Sequence, residues 1–158
     1  MKLWPNQQQA RDNVLREYEA GVVRQLVKSP TGTGKTVFFA ALIHEMKRLG
    51  LLKRVLVITH REELLDQAAE KIRAQNPGLS VAIEQGERVA SVYADVVIAS
   101  IQTLQARNYH RLLRFKRGGP FELVIVDEAH HSAAPTYRTT LALLGLLPAA
   151  DISAGGNV

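Results

Sequence analysis

The chain alternates two hydrophobic rhythms, and this alternation restricts its fold more than any other property of the 158 residues. Short runs of aliphatic and β-branched side chains, such as R-V-L-V-I-T at 54–59 and F-E-L-V-I-V at 121–126, read as strands buried on both faces. Segments of helical period lie between them. At 61–75, Leu64, Leu65, Ala68, Ala69 and Ile72 fall on one stripe. The pattern predicts helices at 5–20, 35–49, 61–75 and 137–147, with one or two short helices in 101–115. It predicts strands at 22–28, 54–59, 79–83, 94–99 and 121–126. Pro5 suits a first helical turn, Gly21 and Gly50 suit helix ends, and Asn76-Pro77-Gly78 breaks the third helix. Such alternation implies an α/β fold, a mostly parallel sheet with helices on both faces. In open sheets of that kind, ligands bind beyond the carboxyl ends of the strands.

Composition narrows the class. With 46% hydrophobic and 22% charged residues, the chain can bury one real core, which excludes a mainly disordered state. Its length suits one domain. Cysteine is absent, which excludes disulfide scaffolds, thiolate metal sites and cysteine nucleophiles. Twenty Lys and Arg against fifteen Asp and Glu give a net charge of +5, a balance that favours polyanionic partners. Residues 1–9 lack the apolar core of a signal peptide and no apolar run could span a bilayer, so the expected location is cytoplasmic.

Two loops concentrate chemistry, and each follows an expected strand. S-P-T-G-T-G-K-T at 29–36 matches G-x-x-x-x-G-K-[ST] except at Ser29. Gly32 and Gly34 would let backbone N–H groups of Thr31-Gly32-Thr33-Gly34 and the residues that follow converge on phosphate oxygens at a helix N-terminus. Lys35 supplies a point charge for the β- and γ-phosphates, and Thr36 a hydroxyl for Mg²⁺. Strand 121–126 runs into Asp127, Glu128, Ala129 and His130. A carboxylate there, Asp127, is placed to hold Mg²⁺, and Glu128 is the candidate to orient or deprotonate an attacking water. His131 reads as a surface or hydrogen-bonded histidine.

These motifs, with weaker ones in the right order, resemble the first RecA-like domain of superfamily 2 helicases of the DEAD/DEAH-box type. Asp127-Glu128-Ala129-His130 spells the DEAH box. L-W-P-N-Q-Q-Q-A at 3–10 resembles the adenine-recognition motif R-P-Y-Q, aligning Gln7 with the adenine-reading glutamine; Trp4 and Asn6 depart from the usual Arg and Tyr. T-H-R-E-E-L-L-D-Q at 59–67 is similar to motif Ia, and S-I-Q-T-L at 100–104 to motif Ic. Gln85-Gly86 is a weaker candidate for motif Ib. The resemblance spans residues 3 to about 147. It implies a RecA-like P-loop NTPase domain using ATP and Mg²⁺, with Lys35, Asp127, Glu128 and His130 in catalysis. Gln7 and residues Pro30 to Thr36 would bind nucleotide, and Thr36 and Asp127 would bind metal. Thr59, His60, Arg61, Ser100, Gln102 and Thr103 would meet nucleic acid, DNA more than RNA by the restriction- and repair-like form of the motifs.

The same resemblance places an arginine finger on a second RecA-like domain, which would serve as a partner in cis or in trans. The expected organisation is therefore one ATP-binding domain at 1–150 and a divergent or truncated tail at 151–158, without the second domain. Alone, such a chain is expected to be weak or inactive in unwinding. Two other classes remain open: a non-catalytic nucleotide switch or nucleic-acid-binding module, and a P-loop ATPase of another family. The basic run Arg111, Arg114, Lys116, Arg117 likewise has two readings, a solvated face or a nucleic-acid contact.

Overall fold

Each strand is an apolar run, closed in three of the four by a polar residue (Thr59, Glu84, Ser100), whose alternate side chains point to opposite faces, and this builds two cores. The computed structural model describes residues 2–27, 34–128 and 134–148. In chain order the elements are α1 (Pro5–Glu19), α2 (Lys35–Arg48), β1 (Val55–Thr59), α3 (Leu65–Gln75), β2 (Val81–Glu84), β3 (Val96–Ser100), α4 (Ile101–Arg114), β4 (Leu123–Val126) and α5 (Pro135–Leu143). The four strands pair in the order β2-β3-β1-β4, and every pairing is parallel. On one face Val55, Val57, Val96, Ile98 and Ile125 pack with Phe38, Ile43 and Met46 of α2 and Leu65, Ala69 and Ile72 of α3. On the other, Leu56, Ile58, Val97 and Ala99 pack with Leu104 and Leu112 of α4, Phe115 and Tyr137. The fold is the expected RecA-like three-layer α/β arrangement.

One expected strand does not form. Residues 22–27 lie outside the sheet, with Val23 and Leu26 exposed; position 28 lies outside the described residues. A strand is stabilised by its neighbours more than by its composition. Among the described residues β4 is paired only along its β1 side, so this run has no strand beside it. The third helix also begins late: residues 62–64 form a 3-10 turn before α3. The helical run at 101–114 is broken, because Ala106 is extended and Arg107, Asn108 and Tyr109 adopt left-handed backbone angles. The break lets Tyr109 turn into the core while Arg107 and Asn108 stay exposed.

Polar groups fix the end of the sheet away from the strand carboxyl ends. The Glu122 carboxylate accepts the backbone N–H groups of Lys53 (3.1 Å) and Arg54 (2.7 Å), tying the entries of β4 and β1. The Arg54 guanidinium is buried over the Phe121 ring, 4.3 Å from its centroid, and donates to the carbonyls of Phe115 and Gly119. Burial lowers the Arg54 pKa, against the raising influence of Glu122 and Asp95.

Candidate nucleotide and nucleic-acid site

Parallel register gathers residues that are far apart in sequence. Ile58 pairs with Ala99 and with Val126, and Thr59 with Ser100. The Asp127 N–H continues the ladder by donating to the Ile58 carbonyl at 2.9 Å. Ser100, Thr59 and Asp127 therefore stand in one row at the carboxyl edge of three neighbouring strands. The connection leaving β1 enters α3 on one face, whereas those leaving β3 and β4 lead to α4 and α5 on the other. Strand β1 thus has a topological switch on each side, where open sheets bind ligands.

The acidic end of the row is tightly turned. The Glu128 N–H donates to Asp127 Oδ1 at 3.0 Å, and Glu128 itself is left-handed with φ 58°. A glutamate held there carries a backbone cost of order 1–3 kcal/mol, a kind of strain that concentrates at functional sites. His130 lies outside the described residues. Tyr137 of α5 is buried, and its pKa is raised by burial and then by the charges of Asp127 and Glu128.

The phosphate-loop half is described from Gly34 onward; Pro30, Thr31, Gly32 and Thr33 lie outside the described residues. Gly34 caps α2 in the left-handed region (φ 72°), and a Cβ there would stand 3.2 Å from Gln7 Nε2. Lys35 and Thr36 form the first turn of α2, where backbone N–H groups lack intrahelical partners. Gln7, although 27 residues upstream, reaches this turn: its Nε2 donates to the Gly34 carbonyl at 3.4 Å, and its Oε1 accepts the Trp4 N–H at 2.9 Å. The adenine-motif residue and the phosphate-loop helix are thus neighbours.

The nucleic-acid candidates divide by exposure. His60, Arg61 and Gln102 are exposed. Thr59, Ser100 and Thr103 are buried and engaged with the protein. Thr59 Oγ1 accepts the Arg61 N–H at 3.1 Å. Ser100 caps α4: its Oγ accepts the Thr103 N–H at 3.2 Å and donates to Glu62 Oε1 at 2.9 Å. Gln102 Nε2 donates to the His60 carbonyl at 3.2 Å. The loops after β1 and β3 are therefore laced into one polar rim.

Sequence reasoning missed the acid that organises the basic run. Glu84, at the carboxyl end of β2, is wholly buried. It accepts Arg111 Nε (2.5 Å), Arg114 Nη2 (2.9 Å) and the Ala90 N–H (2.6 Å). Arg111 also donates to the carbonyls of Gly86 and Arg88, and Arg114 to that of Ala90. These arginines are structural ties across the Gln85–Gly86 turn. Lys116 and Arg117 of the same run sit on the turn near Arg54, at the other end of the sheet. An acid closing a strand, followed by arginines three residues apart on a helix, is the pattern that could have revealed the cluster.

The donor set suits Mg²⁺. Among the described residues no group of three or more His, Asp or Glu side chains is placed to hold a metal. One hydroxyl and one carboxylate, Thr36 and Asp127, fit an ion that keeps its waters and is completed by substrate phosphates. Among the described residues no helix is long and apolar enough to cross a membrane.

Residues 1–146 match the family described as the type III restriction enzyme res subunit. The chain is 35% identical over 149 residues to irc3 of Schizosaccharomyces pombe, whose name describes a mitochondrial ATP-dependent helicase; the match covers 92% of the chain and 23% of that protein. It is 37% identical over 142 residues to IRC3 of Saccharomyces cerevisiae, also named as an ATP-dependent helicase, covering 85% of the chain and 20% of the relative. The chain thus spans between a fifth and a quarter of these relatives. In fold it is similar to the Sulfolobus solfataricus SWI2/SNF2 ATPase core in complex with dsDNA (TM-score 0.71, 19% identity, 90% of this chain and 30% of that one). A second likeness is to the type ISP restriction-modification enzyme LlaGI with a DNA substrate mimic (TM-score 0.60, 20% identity, 82% and 15%). The chain belongs to the family of the type III restriction enzyme res subunit, as an N-terminal RecA-like domain of a superfamily 2 helicase.

Proposed function

We propose that this chain is the ATP-binding and ATP-hydrolysing lobe of a DNA-acting helicase or translocase. The observation that carries the reading is the row at the carboxyl edge of the sheet, which sets the Asp127–Glu128 turn beside the rim formed by the loops after β1 and β3. The relatives named as ATP-dependent helicases, and the fold neighbours seen with DNA, support it.

In this reading the phosphates of ATP lie against the first turn of α2. The N–H groups without intrahelical partners and the Lys35 ammonium meet their charge there. Gln7, beside Gly34, meets the adenine edge. Thr36 and Asp127 would hold Mg²⁺, which when bound would neutralise phosphate charge. Glu128 orients the attacking water and accepts its proton. The exposed Arg61, His60 and Gln102, with backbone N–H groups at the starts of the two helical segments, take a DNA phosphate chain. Thr59, Ser100 and Thr103 hold those loops in shape rather than reaching the strand themselves. The 158 residues alone bind Mg–ATP and turn it over slowly without unwinding, because transition-state charge calls for an arginine from a second lobe.

Steady-state ATP hydrolysis with and without DNA tests the proposal. Wild-type turnover that falls at least tenfold in Lys35→Ala and in Glu128→Gln supports it. Turnover unchanged by Glu128→Gln refutes the enzymatic reading, and robust strand separation by the chain alone refutes its incompleteness.

A further inference from the structure

Tyr137 carries a hydroxyl that its surroundings do not explain. The residue is 3% exposed, and its ring belongs to the apolar layer that includes Ile58 and Val126, the residues preceding Thr59 and Asp127. Its Oη is buried without a hydrogen-bond partner among the described residues. Buried hydroxyls are normally paired, because leaving one unpaired forfeits its hydration for nothing. A phenylalanine would pack the same ring without that loss. Thr139, on the same helix, is also unpaired. Tyr137 differs from it in belonging to the side-chain layer of Ile58 and Val126, the latter preceding Asp127; burial raises its pKa, as do the charges of Asp127 and Glu128.

We propose that Tyr137 is a positioning residue whose hydroxyl donates to the Asp127 carboxylate in the Mg–nucleotide state, fixing the orientation in which that carboxylate meets the metal. The inference rests on the assignment of Asp127 to Mg²⁺ given above. Asp127 accepts the Glu128 N–H on Oδ1, and the remaining lone-pair sites of its carboxylate could serve both a further donor and the ion. Groups that hydrogen-bond a ligating carboxylate set its orientation, and losing one typically lowers metal affinity by about 10–100-fold. A phenol is an O–H donor at neutral pH. Helix α5 follows the DEAH segment directly, and this contact would make the carboxylate answer to the position of that helix.

The test uses the 158-residue chain, Tyr137→Phe, Asp127→Asn and the double variant. Mg²⁺ is titrated at fixed concentration of a fluorescent ATP analogue, and thermal midpoints are recorded without nucleotide. Tyr137→Phe is expected to need about tenfold more Mg²⁺ for half-maximal binding. Its affinity for metal-free nucleotide should be unchanged, and its thermal midpoint equal to or above wild type. In the Asp127→Asn background the same change should add nothing, because the hydroxyl acts through that carboxylate. An unchanged Mg²⁺ midpoint overturns the assignment while leaving the ATPase reading intact. So does a lowered thermal midpoint with equal losses of metal-free and metal-bound affinity, the signature of a packing role. A wild-type chain without Mg²⁺-dependent nucleotide binding overturns both.

Discussion

Replacing Glu84 with alanine should unfold this domain more readily than any exposed acidic substitution. The carboxylate has no solvent contact and takes hydrogen bonds from Arg111, Arg114 and the Ala90 N–H. Removing one member of a buried ion pair typically costs 3–5 kcal/mol, mostly because its partner is left charged and dry. Here the arginine side chains keep 20% and 22% of their exposure, so they can regain water, and the cost falls toward the lower end, about 3 kcal/mol. For a domain of this size that lowers the thermal midpoint by roughly 6–12 °C. Urea unfolding followed by circular dichroism measures the loss. Glu87→Gln, on the exposed turn nearby, should stay within about 0.5 kcal/mol of wild type. In a double-mutant cycle, Arg114→Met in the Glu84→Ala background should cost much less than in wild type, because both changes break one interaction. A loss below about 1 kcal/mol for Glu84→Ala, or simple additivity with Arg114→Met, would refute the claim that this acid anchors the helix.

Three further outcomes follow from particular contacts. Gly118→Ala places a Cβ 1.7 Å from the Val92 carbonyl oxygen, so it should destabilise by at least about 2 kcal/mol in the same urea assay, the scale of core overpacking. Glu122 is held below its usual value of 4.5: burial opposes ionisation, but the N–H groups of Arg54 and Lys53 outweigh it. A depressed folded-state pKa gives stability that is present above the unfolded value and lost as pH falls through the folded one. Urea midpoints between pH 5 and pH 3 should therefore fall more steeply in wild type than in Glu122→Gln, by under about 1 kcal/mol for so exposed a group. Finally, DNA affinity measured against salt should show a slope reduced by about one in Arg61→Ala and unchanged in Arg111→Met, since Arg111 is committed to Glu84.

Legibility tracked how local the determining interactions are. Strands β1, β3 and β4 could be read to within one or two residues, because full burial demands continuous apolar runs such as Val55–Thr59. β2 starts two residues later than its pattern suggested. Ser80 is drawn instead to Asp95, whose carboxylate accepts its N–H and hydroxyl at 2.8 and 2.9 Å. The run at 22–27 has strand composition but no neighbouring strand among the described residues, a fact of topology that no window of sequence contains. The left-handed stretch Arg107–Tyr109 carries no glycine to announce it. Of the candidate site, residue types and spacing pointed to a phosphate loop and an acidic pair, and both remain part of the proposal. Which rim hydroxyls are spent on the protein was invisible, because Ser100 looks the same in a motif whether it faces solvent or caps a helix.

Adjacency of the motifs follows from a property that single motifs lack. In a parallel sheet every strand ends on the same edge, so a motif following one strand stands beside a motif following its neighbour whatever their separation in sequence. Register then fixes which residues share a row, and here Ser100, Thr59 and Asp127 do. The row is also mechanically continuous. Gln102 holds the His60 carbonyl, Ser100 holds Glu62, and the Asp127 N–H holds the carbonyl of Ile58, one residue before Thr59. A ligand that shifts the loop after β3 must strain the loop after β1, and that loop shares its strand with the anchor of the acidic turn. Under the proposed function, coupling between the polymer site and the nucleotide site would need no long route through this domain: two adjacent strand ends and three hydrogen bonds span it. Weakening the lacing without touching either ligand, as Ser100→Ala would by releasing Glu62, should reduce stimulation of ATP hydrolysis by DNA more than it reduces the unstimulated rate. Equal reduction of both rates would show that the rim is passive.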